Sequence, residues 1–308
     1  MSADKASVVE WCVMEMKKGV ACAVTAGVLW GSMSIFTNGL RQYGFLPVQM
    51  SAMRNCIAAI VMLGIVGTVN PGRLKVRRRE LLLFGISGCS LFATGSLYYT
   101  AMAATSASTA VALLYTAPAL VMLVSVLFLH ESITGGKLAA MLLALVGCAL
   151  VSGVAGGVRF EVWGIIAGIF SGIASGSYNI SVKIEMRKGC DALAATTYCF
   201  LFAAITGLVL SRPAEAAEII RTQWESKMLW LIAGFGLITG AVPYLLYTLA
   251  MKRLPAGITA SMGVIEPMTA TLISVIAFGE TLSAPAVAGM VIILTSAWGL
   301  SRCRIGTA

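Results

Sequence analysis

A glutamate and a proline stand side by side inside an apolar stretch long enough to cross a bilayer. Between residues 256 and 278 the only ionisable side chain is Glu266, and Pro267 follows it directly. A charged group at the centre of a membrane helix costs roughly 2.5–3.5 kcal/mol on insertion scales, so it faces other helices and finds a partner. Three roles are open for Glu266: binding an amine, binding a proton, or closing the backbone gap at Pro267 with a structural hydrogen bond.

A second proline, Pro118, stands at the centre of another apolar run, residues 107–129. A proline lacks the N–H group and crowds the carbonyl four residues earlier, here that of Leu114 and, for Pro267, that of Gly263. Irregular backbone at membrane depth is tolerated where it is buried in protein or lines a wet cavity. The two prolines are therefore either paired helix breaks at a midplane site or ordinary kinks.

Arg54 lies about two turns into the apolar run 48–70. Its guanidinium group can hold a carboxylate through two parallel hydrogen bonds. Alternatively, its long stem can extend along apolar surface so that the charge reaches the membrane surface or braces a loop.

Aromatic and amide side chains also lie within the apolar runs. Buried phenol, indole and amide groups need hydrogen-bond partners, which a bound substrate or a neighbouring helix can supply. Tyr244 and Tyr247 are three residues apart on one helix face beside Pro243 and are the strongest candidates. The full set is Trp30, Asn38, Tyr98, Tyr99, Tyr115, Tyr178, Asn179, Tyr198, Tyr244 and Tyr247.

The known signatures of intramembrane enzymes and pumps are missing from the chain. An aspartyl protease needs two membrane aspartates, but Asp4 and Asp191 lie outside the apolar runs or at their edge. No GxSxG sequence occurs, and the single histidine, His130, has no second histidine to complete HExxH. A Walker A sequence is also missing. We therefore expect no enzyme activity, and a non-transporting membrane sensor or an intramembrane enzyme remains the alternative.

The composition requires lipid as the solvent for much of the chain. Of 308 residues, 58% are hydrophobic and 11% are charged, and the mean hydropathy is +0.90. A soluble domain of this length cannot hide so much apolar surface. The cations behind the net charge of +9 lie in short loops between apolar runs. This pattern indicates that they orient the helices in the membrane and do not form a surface for nucleic acid. Eight scattered cysteines without a CxxC pair indicate neither a disulfide framework nor a metal site.

The apolar runs predict an all-α integral membrane protein with ten transmembrane helices. About 20 residues at 1.5 Å each span a bilayer. The predicted spans are residues 19–40, 48–70, 81–104, 107–129, 136–153, 161–183, 190–211, 228–251, 256–278 and 284–301.

Lysine and arginine predict the orientation. With the N-terminus inside, the inner segments hold sixteen cations and the outer loops hold five, while Arg54 lies within a span. Positive residues are retained on the cytoplasmic side. We expect a multi-pass protein of the cytoplasmic (inner) membrane with both termini, including an N-terminal segment of residues 1–18, in the cytoplasm.

The chain repeats itself after about 149 residues. This shift places "LYYTAMAATSA", residues 97–107, on "LYTLAMKRLPA", residues 246–256, and places Pro118 on Pro267. A shift of 145 places one ladder of small residues, beginning at Gly19, on another beginning at Gly164. Such ladders let helices approach closely. Residues 19–153 and 161–301 are thus two five-helix repeats, and an odd number of spans inverts the second copy.

These features resemble the drug/metabolite transporter superfamily, in particular its ten-helix EamA-type branch. The resemblance rests on Pro118 and Pro267, on Glu131 and Glu280 thirteen residues after them, and on the "LPVQMSAMRNCIAA" second span with Arg54. Ala117 stands where the second half has Glu266, so the halves differ at this point.

The resemblance implies a bundle without a cofactor that exports or exchanges small metabolites, often amino acids, by alternating access. Inverted repeats place the substrate near the midplane between the halves. The expected partners are a small-molecule substrate and the lipid bilayer, with coupling to a proton as an option that the sequence leaves open. The substrate, the coupling ion and the choice between monomer and homodimer are left open by the sequence.

Overall fold

The computed structural model is helical wherever it describes regular structure. It describes the backbone of residues 2–105, 110, 113–114, 117, 121, 134–151, 161–263, 265–278 and 284–302. No strand occurs within these ranges.

The first half contains five described helices. They are α1 (Ser2–Gly31), α2 (Met33–Gln42), α3 (Pro47–Val69), α4 (Arg78–Ala104) and α5 (Gly135–Val151), with a 3-10 turn at Pro71–Leu74 after α3.

The second half contains eight described helices. They are α6 (Val162–Arg187), α7 (Ala192–Leu210), α8 (Pro213–Thr222), α9 (Ser226–Gly236), α10 (Val242–Arg253), α11 (Ala256–Met262), α12 (Ile265–Phe278) and α13 (Ala284–Arg302), with a π-helical turn at Leu237–Ala241 between α9 and α10.

Six segments of the described chain are long and apolar enough to cross a membrane. They are Met14–Gln42, Pro47–Val69, Arg78–Ala104, Val162–Arg187, Ala192–Leu210 and Ser226–Arg253, and Leu138–Gly147 and Val287–Ser296 are shorter apolar helices. The protein is therefore a multi-pass membrane protein. Most of the fourth predicted span, residues 107–129, lies outside the described residues, so the number ten stays a prediction.

Besides the eighth span with its π-helical turn, two predicted spans are each divided into two helices. The first is interrupted at Ser32, whose main-chain N–H and hydroxyl both bond the carbonyl of Leu29, at 3.2 and 2.7 Å. The ninth is interrupted between α11 and α12, where the main-chain N–H of Gly263 bonds three residues back, to Ala260 at 3.2 Å.

Contacts between the halves come in corresponding pairs. α4 packs along α6 in the way that α10 packs along α1, while α3 pairs with α7 and α5 pairs with α13. In the described part of the chain, corresponding helices of the two halves therefore make corresponding contacts.

Polar contacts close the two ends of this bundle. At one end, called the basic end, Arg73 meets Asp191 at 3.4 Å and Arg253 meets Glu15 at 2.8 Å. At the other, called the α8 end, the hydroxyl of Tyr43 donates to Glu225 at 2.6 Å.

The glycines of α1 set its distance from the divided helix α11–α12. A Cβ atom on Gly31 would lie 2.5 Å from Cβ of Thr269 and 3.0 Å from the main-chain nitrogen of Ala270. A Cβ on Gly27 would meet Ile265 at 3.3 Å. Without these side chains, α1 lies directly against the first turns of α12.

Gly31→Ala should therefore destabilise the bundle, because neither Cβ of Thr269 nor the backbone can move aside freely. Overpacking of this kind costs about 1–3 kcal/mol. We expect the thermal midpoint of the detergent-solubilised protein to fall by several degrees. Gly64→Ala, where no atom lies within 4 Å of the added Cβ, is the control and should leave the midpoint unchanged or higher. Equal midpoints in the two variants would contradict the close contact.

Candidate functional site

A cavity lies at the centre of the bundle, between the two halves. Its walls come from α1–α4, α6, α10, the α11–α12 break and residues 114 and 117. It encloses about 730 Å³ of space outside the atoms, part of which is open.

Most of the predicted site residues lie in the wall of this cavity. These residues are Trp30, Arg54, Tyr98, Tyr99, Tyr178, Asn179, Tyr244, Tyr247 and Glu266. Asn38 is exposed on α2 and is not part of the wall. Tyr198 bonds the carbonyl of Leu74 near the basic end instead. Tyr115 and Pro118 lie outside the described residues, as do Glu131 and Glu280.

Arg54 is a buried cation in the wall of the cavity. Only 2% of the residue is exposed, so its side chain does not extend to the membrane surface or to a loop. Its Nη1 atom donates to the hydroxyl of Tyr99 at 3.1 Å, and that hydroxyl donates to Sδ of Met33 at 3.3 Å. The guanidinium carbon lies 5.5 Å from the ring centre of Tyr244 and 6.0 Å from that of Phe235. Aromatic faces at such distances stabilise a desolvated cation.

One edge of the guanidinium group is left without a partner. Both Nε and Nη2 are buried and make no hydrogen bond. These two atoms carry the parallel N–H groups that grip a carboxylate side-on. Gly95 lies next to them, and a Cβ atom there would approach Nη2 to 3.3 Å and Oγ of Ser51 to 2.7 Å. Gly95 therefore packs closely beside this edge, where a larger side chain would clash with Ser51.

A group of aromatic rings forms the wall next to Arg54. Tyr244 stands edge-on to Trp30 at 4.9 Å between ring centres, and to Tyr178 and Phe200 at 5.5 Å each. Tyr247 lies 5.2 Å from Trp30. The indole N–H of Trp30 is buried and has no hydrogen-bond acceptor. Three buried nitrogens of residues in this wall thus lack a hydrogen-bond partner, two on Arg54 and one on Trp30.

The π-helical turn places α10 against Arg54. A Cβ atom on Gly236 would lie 2.3 Å from Cβ of Ile57, and one on Gly240 would lie 3.6 Å from Cγ of Arg54. Pro243 follows at the start of α10, where its missing N–H removes a regular helical bond. Single π turns recur at functional sites because they redirect the residues after them. Here the residue redirected toward the cavity is Tyr244.

The interruption of the ninth span lies beside Glu266, which is also in the cavity wall. The carbonyl of Gly263 accepts a bond from the N–H of Glu266 at 2.9 Å. Glu266 and Pro267 thus occupy the first turn of α12, where N–H groups have no partner within the helix and a proline is tolerated. Glu266 is half-buried and lies within electrostatic range of Arg54.

Several wall residues were not predicted from the sequence. They are Met33, Leu91, Thr94, Gly95, Leu114, Ala117, Ser175, Ala260 and Gly263. Small and apolar residues of this kind are ordinary in membrane helices, so composition gives no signal. The internal repeat did give a signal for Ala117, because that residue corresponds to Glu266 in the second half.

A metal centre has no support in the described part of the chain. No cluster of three or more histidine, cysteine or acidic side chains occurs there, and five described cysteines are free thiols.

The chain matches known proteins along nearly all of its length. Residues 17–153 and 162–302 each match the EamA-like transporter family. A protein of Archaeoglobus fulgidus named an uncharacterized transporter is 29% identical over 283 residues, which cover 91% of this chain and 94% of the relative. One of Clostridium kluyveri with the same name is 25% identical over 296 residues, covering 91% of each chain.

The fold also matches a solved structure. The superposition has a TM-score of 0.74 at 19% identity and covers 93% of this chain and 99% of the crystallised one. At this identity the match establishes the common fold and nothing about the ligand.

Tyr99→Phe tests how Arg54 is held. The change leaves Nη1 as the third nitrogen of a buried cation without a partner, at a cost of about 1–3 kcal/mol. Tyr247→Phe is the control, because it also removes one phenol oxygen from the cavity wall, but the hydroxyl of Tyr247 bonds no residue in the described part of the chain. We expect a lower thermal midpoint for Tyr99→Phe than for Tyr247→Phe. If Tyr247→Phe destabilised the protein as much as Tyr99→Phe, the hydrogen bond would not be what positions Arg54.

Proposed function

The chain belongs to the EamA-like transporter family, and we propose that it is a secondary transporter that exports a small carboxylate-bearing metabolite of the amino-acid type across the cytoplasmic membrane by alternating access. The single observation that carries the choice of substrate is the unpaired edge of Arg54. Export as the direction comes from the resemblance to the family.

The argument for a carboxylate begins with desolvation. A buried cation is stable only when its donors find partners, and each unmade bond to a charged group costs more than 1–3 kcal/mol. Nε and Nη2 of Arg54 lack such partners beside a cavity. A bound carboxylate satisfies both donors with two charge-assisted bonds. The empty state thus carries a cost that substrate binding removes.

The argument for an amine begins with Glu266. Its carboxylate and the guanidinium of Arg54 are walls of the same cavity. A substrate with a carboxylate and an ammonium group meets complementary charges at both. The rings of Trp30, Tyr244 and Tyr247 then face the rest of the molecule. An amino acid or a related zwitterion combines these features in a small volume.

For topology we propose ten spans as two inverted five-helix repeats, with the basic end in the cytoplasm. The sixteen-to-five distribution of cations supports the orientation. The corresponding contacts of the two halves and the separate family match of each half support the repeat.

Alternating access then moves the two halves against each other about the central cavity. At the basic end Lys183 of α6 donates to the carbonyl of Met251 at 3.1 Å and to that of Leu254, at the end of α10. At the α8 end Tyr43 and Gln223 join the loop after α2 to the segment before α9. Contacts at one end break when that end opens, and the cavity meets water there.

Binding to purified protein tests the substrate proposal. A thermal-shift screen should compare zwitterionic amino acids with two matched analogues, one lacking the amine and one with the carboxylate replaced by an amide. Arg54→Gln should weaken binding of both carboxylate ligands by roughly 30-fold or more, since truncating a buried charge pair costs about 2 kcal/mol or more. Glu266→Gln should weaken binding of the amino acid but not of its des-amino analogue.

Arg41→Gln, an exposed arginine after the first span, is the control and should leave all affinities unchanged. Flux of the best ligand into proteoliposomes should follow the same order as binding. A ligand that stabilises the wild type and Arg54→Gln equally would contradict the role of the unpaired edge.

A further inference from the structure

A second buried ionisable group lies outside the cavity wall. Glu185 stands near the basic end of α6 and is 1% exposed. Neither carboxyl oxygen makes a hydrogen bond. It is not among the residues that line the cavity, so the proposed substrate does not explain it.

The side chain of Glu185 points toward α4 and α7. The hydroxyl of Ser87 on α4 lies beside the carboxyl group, but its proton is donated to the carbonyl of Phe84 at 3.1 Å. The thiol of Cys199 on α7 is within electrostatic range of Glu185.

The other titratable neighbours are weak acids. Tyr178 on α6 and Cys190 in the loop before α7 interact electrostatically with Glu185. Lys183, two residues away, reaches α10.

These surroundings favour the neutral acid. Burying an ionised carboxylate without a hydrogen-bond donor is so costly that the group takes up a proton instead. The acid O–H can then donate to Oγ of Ser87, whose own proton already goes to Phe84. After deprotonation the Ser87 hydroxyl can rotate and donate to the carboxylate. Glu185 and Ser87 can therefore form a hydrogen bond with each other in either protonation state of the carboxyl group.

Glu185 also lies between the cavity and the basic end. Tyr178, in the cavity wall, is seven residues earlier and hence two turns away on the same face of α6. On the other side, Phe84 lies one turn nearer the basic end than Ser87 and stacks on Tyr198 at 5.6 Å. The hydroxyl of Tyr198 donates to the carbonyl of Leu74 at 2.8 Å. Glu185 is thus buried between the cavity residue Tyr178 and the contacts of the basic end.

We propose that Glu185 is a proton-binding site, separate from the substrate site, which couples the proposed transport to the proton gradient. The proton reaches Glu185 from the cavity past Tyr178 while the α8 end is open. When the basic end opens, water reaches the carboxyl group, which ionises and releases H⁺ to that side. One proton thus moves inward in each cycle that moves substrate outward. The coupling depends on the proposed transport, whereas the protonation of Glu185 can be measured without any substrate.

The first measurement is infrared difference spectroscopy of the purified protein during a pH titration, without substrate. The wild type should show the C=O band of a protonated carboxylic acid at neutral pH, and Glu185→Gln should lose it. Glu161→Gln replaces an exposed glutamate just before α6, whose side chain forms no helix cap, and should retain the band. A band unchanged in Glu185→Gln overturns the proposal, whatever the substrate proves to be.

The second measurement is transport in proteoliposomes with the ligand that the thermal-shift screen finds. Glu185→Gln should lose accumulation driven by an imposed pH difference, by tenfold or more, and should retain exchange of labelled for unlabelled ligand. Gradient-driven accumulation equal to that of the wild type overturns the coupling. Arg54→Gln should lose both accumulation and exchange but keep the infrared band. That result would show that Arg54 is needed for substrate binding and that the proton on Glu185 does not depend on it.

Glu185→Met provides the test if the glutamine variant does not fold. Methionine fills a similar length without polar atoms, so it removes the buried acid and leaves no unsatisfied group. This variant should unfold at the same temperature as the wild type or higher, yet lose gradient-driven accumulation. Normal accumulation in the methionine variant overturns the proposal.

Discussion

The burial of one cation, Arg54, is the constraint on which the site depends. Only 2% of the residue is exposed, so water cannot compensate for its charge. One donor bonds Tyr99, and aromatic faces surround the guanidinium carbon. The two remaining nitrogens, Nε and Nη2, are buried without a hydrogen bond, and Arg54 lines the cavity. Desolvation is thus offset in part by the protein, and the unsatisfied part defines what the cavity can bind.

The backbone around Arg54 is arranged to permit this burial. Glycines at 236 and 240 let the π-helical turn approach α3, and Gly95 packs closely beside the unpaired edge. Elsewhere in the wall, the interruption before α12 places Glu266 in a first helical turn beside Pro267. Both irregular segments lie where the backbone borders the cavity, the setting in which membrane helices tolerate them. Local departures from regular helix are therefore concentrated at the site.

The sequence was informative wherever a polar side chain interrupts an apolar run. Glu266, Arg54 and the tyrosines of α10 stood out for this reason, and the cavity contains them. The same criterion selected Asn38, which faces outward on α2, because a polar residue near a helix end can reach the membrane surface. Small wall residues such as Gly95 and Ala260 carry no polar signal, and only the packing of several helices reveals that they border a cavity.

Glu185 is an ionisable residue whose burial could not be predicted from the sequence. It lies in the segment "KIEMRKG" with Lys183, Arg187 and Lys188, a pattern typical of a charged helix end in water. The structure instead buries Lys183 against the end of α10 and Glu185 against α4 and α7. Charge counts along the chain cannot distinguish a solvated cation from one bonded to a helix terminus. That difference depends on contacts between residues more than 60 positions apart.

A structure of the protein with its most stabilising carboxylate ligand tests the central claim most directly. The account predicts that the two carboxylate oxygens lie about 2.7–2.9 Å from Nε and Nη2 of Arg54, with Tyr99 still bonded to Nη1. A ligand whose carboxylate binds elsewhere in the cavity, with that edge of Arg54 still unpaired, would contradict it.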